Sequence, residues 1–524
     1  MSRLASPASA RRPWRLYTTP FESILAHKYD GSGTEAEPYL VDWLAEDPEN
    51  PQSWPGFPRW LQLSLIGFAT LSLTAASSAY GAAQPDLERQ FHVSGEVTLL
   101  GISLFVIGFG AGPLVWSPLS DIYGRRTMYI FSFAMLTLWT SVTVAAQNIA
   151  SVLVFRFLSG FFGGVPLSSA GASVADLFPI SQRGIALAVF TSTAFLGPAV
   201  GPITGGFIAQ KAGWRWIEGY LAIFSGVVTL ALVLLASETC APVLLRRRAS
   251  RLSKSTGKVF RYRGDGKITT SPGQLLSRAV LSPWKFLLEP IVLVLTIYMS
   301  IIYGVVYLNF AAYPIVFQEL RGWSQGIGGL AFLGIVVGVV LALLCVVFII
   351  NPRFNSTSSR RGGSALPEDR LEPAVVGGIS ALIGLVGFAA TASPNVHFIA
   401  PIIFGAPFGF GVVLIFLAVI GYLVDAYSVY AASVLAANAF VRAAFAAAFP
   451  LFTVPMYDNL GVHWASAIPA FLILACIPAA MILQRYGATI RAKSKWAARA
   501  EKELKAIVAA RQAAMLATKI NEEA

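Results

Sequence analysis

The chain has 524 residues, 55% of them hydrophobic and 13% charged, with 39 Lys and Arg against 27 Asp and Glu for a net charge of +12. Charge at about half the ~25% of a soluble domain, with a mean hydropathy of +0.64, excludes an ordinary soluble enzyme and implies a chain solvated largely by lipid. The basic excess is spread over loops on one side of the implied spans, so no nucleic acid is needed to explain it.

Residues 1–58 are polar and Pro-rich, without the contiguous apolar core of a signal peptide. DPENPQSWP, from Asp47 to Pro55, carries too much proline for a helix and predicts a mobile arm with a turn before the first span. Apolar runs of the ~20 residues that cross a bilayer then begin near Trp60, Val97, Thr127, Ser151, Gly184, Ile217, Phe286, Ile327, Pro373, Phe398, Val429 and Ala465, twelve in all. If the N-terminus is inside, the outer loops carry only Arg89, Lys211, Arg215 and Arg321, and the spans only Arg156 and Arg442. Every other Lys and Arg is cytosolic, which the positive-inside rule predicts for a chain with both termini in the cytosol.

The organisation is an arm (1–58), six spans (59–239), a basic loop (240–285), six more spans (286–485) and a basic amphipathic tail (486–524). Two sixfold halves around a polar hinge suit a transporter built from repeats. The central loop reads as a solvated or lipid-touching segment, and the tail as a helix lying on the membrane surface. Cys240, Cys345 and Cys476 fall in or beside spans, so no disulfide is expected. His27, His92, His397 and His463 lack metal-ligand spacing, and phosphate loops and nucleophile elbows are missing. No metal, cofactor or enzymatic activity is expected.

Two stretches carry most information. In GPAVGPITGG, Gly197, Gly201 and Gly205 recur every four residues on one helix face, Gly206 follows, and Pro198 and Pro202 remove backbone donors. Such a face lets another helix approach closely and lets its own helix bend. In SPLSDIYGRR, between spans two and three, Gly124 can turn the chain while Asp121, Arg125 and Arg126 latch onto neighbouring helix ends. Packing alone, or a positive-inside turn, would also account for either stretch.

Together with VFRFLSG around Arg156, RGWSQGIGGLAFLGI from Arg321, APFGFGVVLIFL from Ala406 and DAYSVYAASVLAANAFVRAAFAAAFPLF from Asp425, these stretches resemble the major facilitator superfamily. The closest likeness is to its twelve-span fungal drug:proton antiporter group, and it runs from about Asp47 to Arg491. Three departures stand out: Ser117 replaces a usual glycine, Ser237 replaces a usual proline before Glu238, and the second half has no clear Asp-Gly-Arg-Arg loop. Sugar-transporter signatures are missing, which disfavours sugar import.

The resemblance implies an all-α membrane protein of the major facilitator fold: twelve transmembrane helices in two six-helix halves, acting as a monomer. It would export small organic molecules such as drugs, polyamines or an endogenous metabolite such as an organic acid or glycolipid by proton antiport, in the plasma membrane or alternatively the vacuolar membrane. Import, or a sensing role without transport, is the alternative. Asp121, Arg125 and Arg126 would close a cytosolic gate, with Asp176 the nearest partner, and Arg156 would couple to protons. No carboxylate falls near the middle of a span, so Arg156 is the best-placed buried charge, unless it is a structural cation. Tyr303, Tyr307, Asn309, Phe310, Phe408, Asn438 and Arg442 are candidates for an aromatic, weakly polar substrate cavity. Arg442 could face an anionic cargo, pair with a gate residue such as Asp425, or anchor its helix.

Overall fold

The computed structural model describes residues 17–44, 46–265, 281–360, 366–494, 496–500, 502 and 503. Most of the tail after Lys493 lies outside the described residues. Among those described, eleven apolar helical segments are long enough to cross a bilayer, and the last, Ala431–Lys493, turns at Gly461 (φ 72°, ψ 164°) and is therefore two spans.

Spans 1 to 6 are Gly56–Ala79, Gly95–Tyr123, Arg125–Val144, Ile149–Leu177, Ile180–Ala212 and Trp214–Leu235. Spans 7 to 12 are Pro290–Glu319, Gln325–Thr357, Glu372–Thr391, Ile399–Tyr427, 431–460 and 462–493. Each starts within a few residues of its apolar run because the hydrocarbon core leaves no alternative way to satisfy a backbone. Within the first half span 1 packs on span 5, span 2 on 4 and span 3 on 6; spans 7 on 11, 8 on 10 and 9 on 12 repeat the pattern. The halves meet along spans 2 and 11 and along spans 5 and 8.

The glycine-rich element of span 5 uses two faces. A Cβ on Gly197, Gly201 or Gly205 would lie 2.7–2.9 Å from backbone atoms of Leu71, Ala75 and Ala79 in span 1. That face closes the first half on itself. The other face crosses to the second half: a Cβ on Gly206 would lie 2.5 Å from the Gln325 carbonyl oxygen, and one on Gly329 at the same distance from that of Pro202.

The arm and central loop differ from their sequence-based readings. Strand β1 (Tyr39–Val41), in the arm, pairs in parallel with β2 (Phe260–Tyr262), in the central loop. Between span 6 and β2 lies a linker helix, Ala241–Thr256, opened by a proline in its first turn and closed by Gly257 at φ 71°. Its Leu245, Ala249 and Leu252 form a small second core with Ile24 and Val41 of the arm. Arg248 is buried there, with Nη1 2.5 Å from Asp47 Oδ2 and Nη2 2.8 Å from Glu49 Oε2, and with the Trp43 ring 5.2 Å away. Burial alone would raise the Asp47 carboxyl, but hydrogen bonds from Arg248 and Thr19 outweigh it and hold the group below its ordinary value. The described arm is therefore docked rather than a mobile leader, and part of the central loop is folded rather than solvated.

Candidate gate, coupling pair and central cleft

At the turn between spans 2 and 3, Gly124 adopts φ 102°, and a Cβ there would run into the Glu238 carboxylate. Both constraints require glycine. Arg125, 6% exposed, reaches Asp121 at 2.6 Å and Asp176 at 3.5 Å, and also bonds Ser120. The proposed gate partners are thus gathered on one guanidinium, all within the first half. Arg126 instead donates to the carbonyls of Ala236 (2.7 Å) and Val233 (3.0 Å) at the end of span 6.

Glu238 is a residue whose part the sequence did not disclose. Its Oε1 accepts the backbone N–H groups of Arg125 (2.8 Å), Thr239 (3.1 Å) and Cys240 (3.0 Å). One carboxylate thereby ties the turn to the entrance of the linker helix. Burial is the main influence on it and pushes its carboxyl above the ordinary value, against the pull of those bonds.

The second half builds a counterpart from a different sequence. Arg370, just before span 9, pairs with Asp425 at the end of span 10, as Arg125 does with Asp176 at the end of span 4. Glu368 pairs with Arg491 at the end of span 12, 3.2 Å away. The segment PEDR (Pro367–Arg370) lacks the glycine of the first-half loop, which is why the pattern is not recognisable in the sequence. Asp425 is consequently engaged away from Arg442.

Arg156 has the acidic partner that the sequence appeared to lack. Glu218, in the first turns of span 6, lies 3.4 Å from Arg156 Nη1, and both side chains are 1% exposed. Arg156 also donates to the carbonyls of Ala76 (2.9 Å), Gly101 (3.3 Å) and Ser77 (3.5 Å), between the rings of Tyr80 and Phe105 at 4.5 and 4.4 Å. Glu218 Oε2 has no hydrogen-bond partner. The Ser77 hydroxyl in turn meets the Tyr307 hydroxyl at 2.9 Å, a contact between the halves.

Tyr307 packs edge-on against Tyr303 (5.2 Å), and the Arg442 guanidinium sits 5.0 Å from the Tyr303 ring and 5.1 Å from that of Phe416. Phe310 and Phe408 line a narrow, nearly closed apolar cleft, together with Phe195 and Pro198 of the first half. Asn309 is buried in span 7. Asn438 turns to span 7 instead of the cleft, donating to Thr296 Oγ1 at 3.2 Å and Met299 Sδ at 3.4 Å, so it is a helix-packing contact in this conformation.

A twelve-span bundle with duplicated charge clusters at one end and an apolar cleft between its halves is the architecture of a membrane transporter rather than an enzyme. The family model described as Major Facilitator Superfamily matches residues 66–450, and the chain belongs to that superfamily. Among similar proteins, the MFS-type efflux pump MFS2 of Trichophyton rubrum is 48% identical over 95% of this chain and 85% of its own length. The efflux pump FUBT of Fusarium oxysporum is 48% identical over 91% and 81%. The major facilitator superfamily multidrug transporter mdrA of Aspergillus fumigatus is 45% identical over 93% and 81%. Two solved structures share the fold: the proton:xylose symporter XylE (TM-score 0.60, 14% identity, 83% of this chain and 96% of that one) and human MFSD10 (TM-score 0.56, 15% identity, 82% and 100%).

Proposed function

We propose that the chain exports small organic molecules across the plasma membrane by alternating access, in exchange for protons. The names of its efflux-pump relatives support the direction. The observation that carries the coupling is the buried Arg156–Glu218 pair, joined through Ser77 to Tyr307 of the other half. A proton on Glu218 would remove the charge facing Arg156 and free its guanidinium to shift among the carbonyls it now holds. The Ser77–Tyr307 contact would transmit that shift to the interface that must part when the transporter turns over.

In this reading Asp121, Arg125 and Asp176 form the cytosolic gate with Glu238 as its anchor, and Arg370–Asp425 is the matching gate of the second half. The two halves, 59–239 and 286–485, rock as units in a monomer with both termini cytosolic. Proteoliposomes loaded with fluorescent drugs test it: an imposed proton gradient should drive accumulation against concentration. Equal movement with and without the gradient would reject antiport.

A further inference from the structure

The Arg442 guanidinium stands apart from the other buried arginines of the spans. Arg156 has Glu218 and three carbonyls; Arg125 has Asp121 and Asp176. Arg442 is 8% exposed, its Nε is buried with no hydrogen-bond partner, and among the described residues no carboxylate pairs with it. Asp425, the gate residue weighed above as its partner, is held by Arg370. A guanidinium is always protonated, so it cannot escape burial by becoming neutral. Its contacts with Tyr303 and Phe416 offset only part of the cost of leaving water.

The surroundings indicate what would complete it. Phe195 of span 5 packs edge-on against Phe416 (4.6 Å) and Tyr303 (6.3 Å), so residues from both halves make the aromatic box beside the charge. Phe195 is also a wall of the narrow apolar cleft between the halves, whose other walls include Val306, Phe310, Phe408 and Val412. A fixed cation, a set of ring faces and an apolar cleft thus follow one another across Phe195.

Resting on the export reading above, we infer that the cargo is an amphipathic aromatic monoanion. Its carboxylate is held by Arg442, and its ring and apolar remainder take the space that opens along Phe195 when the ring contacts of Phe195 with Phe416 and Tyr303 part. Because Phe195 belongs to one half and Arg442 to the other, the site is complete only when the halves close on the anion. A planar carboxylate fits the guanidinium fork, which a neutral amide of the same shape does not.

The test uses the full chain in lipid nanodiscs and equilibrium dialysis at pH 7 with two probes of matching shape, 1-naphthoate and neutral 1-naphthamide. The wild type should bind the anion at least tenfold more tightly. R442Q should abolish that preference, and R442K should keep some of it. Equal affinities in the wild type, binding of neither probe, or a preference that survives R442Q would each overturn the inference. The wild-type comparison needs no variant to fold. Export is read separately, from efflux of the same probes out of proton-energised vesicles: selective binding without efflux sinks export and spares the anion site, whereas efflux without charge preference does the reverse.

Discussion

Arg156 and Glu218 enter the bundle from the same end, seven residues into span 4 and four into span 6, and close an ion pair at 3.4 Å with neither side chain in contact with solvent. At 1.5 Å per residue the two backbones lie at roughly 10 and 6 Å depth, a difference that the longer side chains span. A buried pair is worth little compared with apolar packing, yet removing one member leaves a bare charge, at a cost of about 3–5 kcal/mol. Glu218→Gln is therefore expected to lower thermal stability and to leave transport that no longer responds to a proton gradient. Adding Arg156→Gln should recover much of the stability without restoring the response. Gradient-dependent uptake by Glu218→Gln vesicles matching the wild type would exclude this pair from coupling.

The two faces of span 5 should answer differently to substitution. Gly201 faces span 1 inside one half, where Ala75 O and Ala79 N would meet a Cβ at 2.7 and 2.9 Å, so Gly201→Leu should reduce folded yield as well as transport. Gly206 faces Gln325 of the other half. Gly206→Val should leave each half intact but push spans 5 and 8 apart, favouring the state open at that end. A cysteine placed near Gln325 would then label faster with a membrane-impermeant thiol reagent. An unchanged labelling rate would contradict this division of labour.

Gly124 combines a positive φ with a carboxylate where its Cβ would be, so Gly124→Ala should cost about 1–3 kcal/mol in backbone strain alone. The displaced Glu238 would release the Arg125, Thr239 and Cys240 amides. We expect transport to fall at least tenfold with surface expression reduced less than twofold, measured on the same cells. Equal losses of both would make Gly124 a folding residue only.

The spans were legible because lipid imposes length and apolarity on every crossing, and the chain obeys both. Glu218 escaped notice because its distance from the end of its own helix is small. What matters is its depth relative to Arg156, which no single run displays. The second-half charge pair was hidden for another reason: Arg370 and Asp425 lie far apart in sequence, and no glycine marks their turn. Arg248 was hidden by its neighbours. In LLRRRASR, Arg246, Arg247 and Arg251 look equivalent to it, and only the fold shows that Arg248 faces the arm while Arg251 is exposed.

That burial makes the docking of arm and linker helix a pH-sensitive contact with a definite sign. The folded-state value of Asp47 lies below its unfolded value, so its ionised form supports docking at and above the ordinary carboxylate range. That support is lost only as pH falls through the folded value. Arg248 stays charged throughout. Spin labels on the arm and on the linker helix should therefore keep a short distance from neutral pH down through the ordinary carboxylate range, and separate only at pH below that range. Asp47→Ala, which leaves the Arg248 charge short of one partner, should weaken docking by about 3 kcal/mol and lengthen the distance even at pH 7. Glu49, already 2.8 Å from Arg248, would soften that effect. A distance unchanged in Asp47→Ala would show that the apolar contacts of Ile24 and Val41 with the linker helix are sufficient to hold the arm.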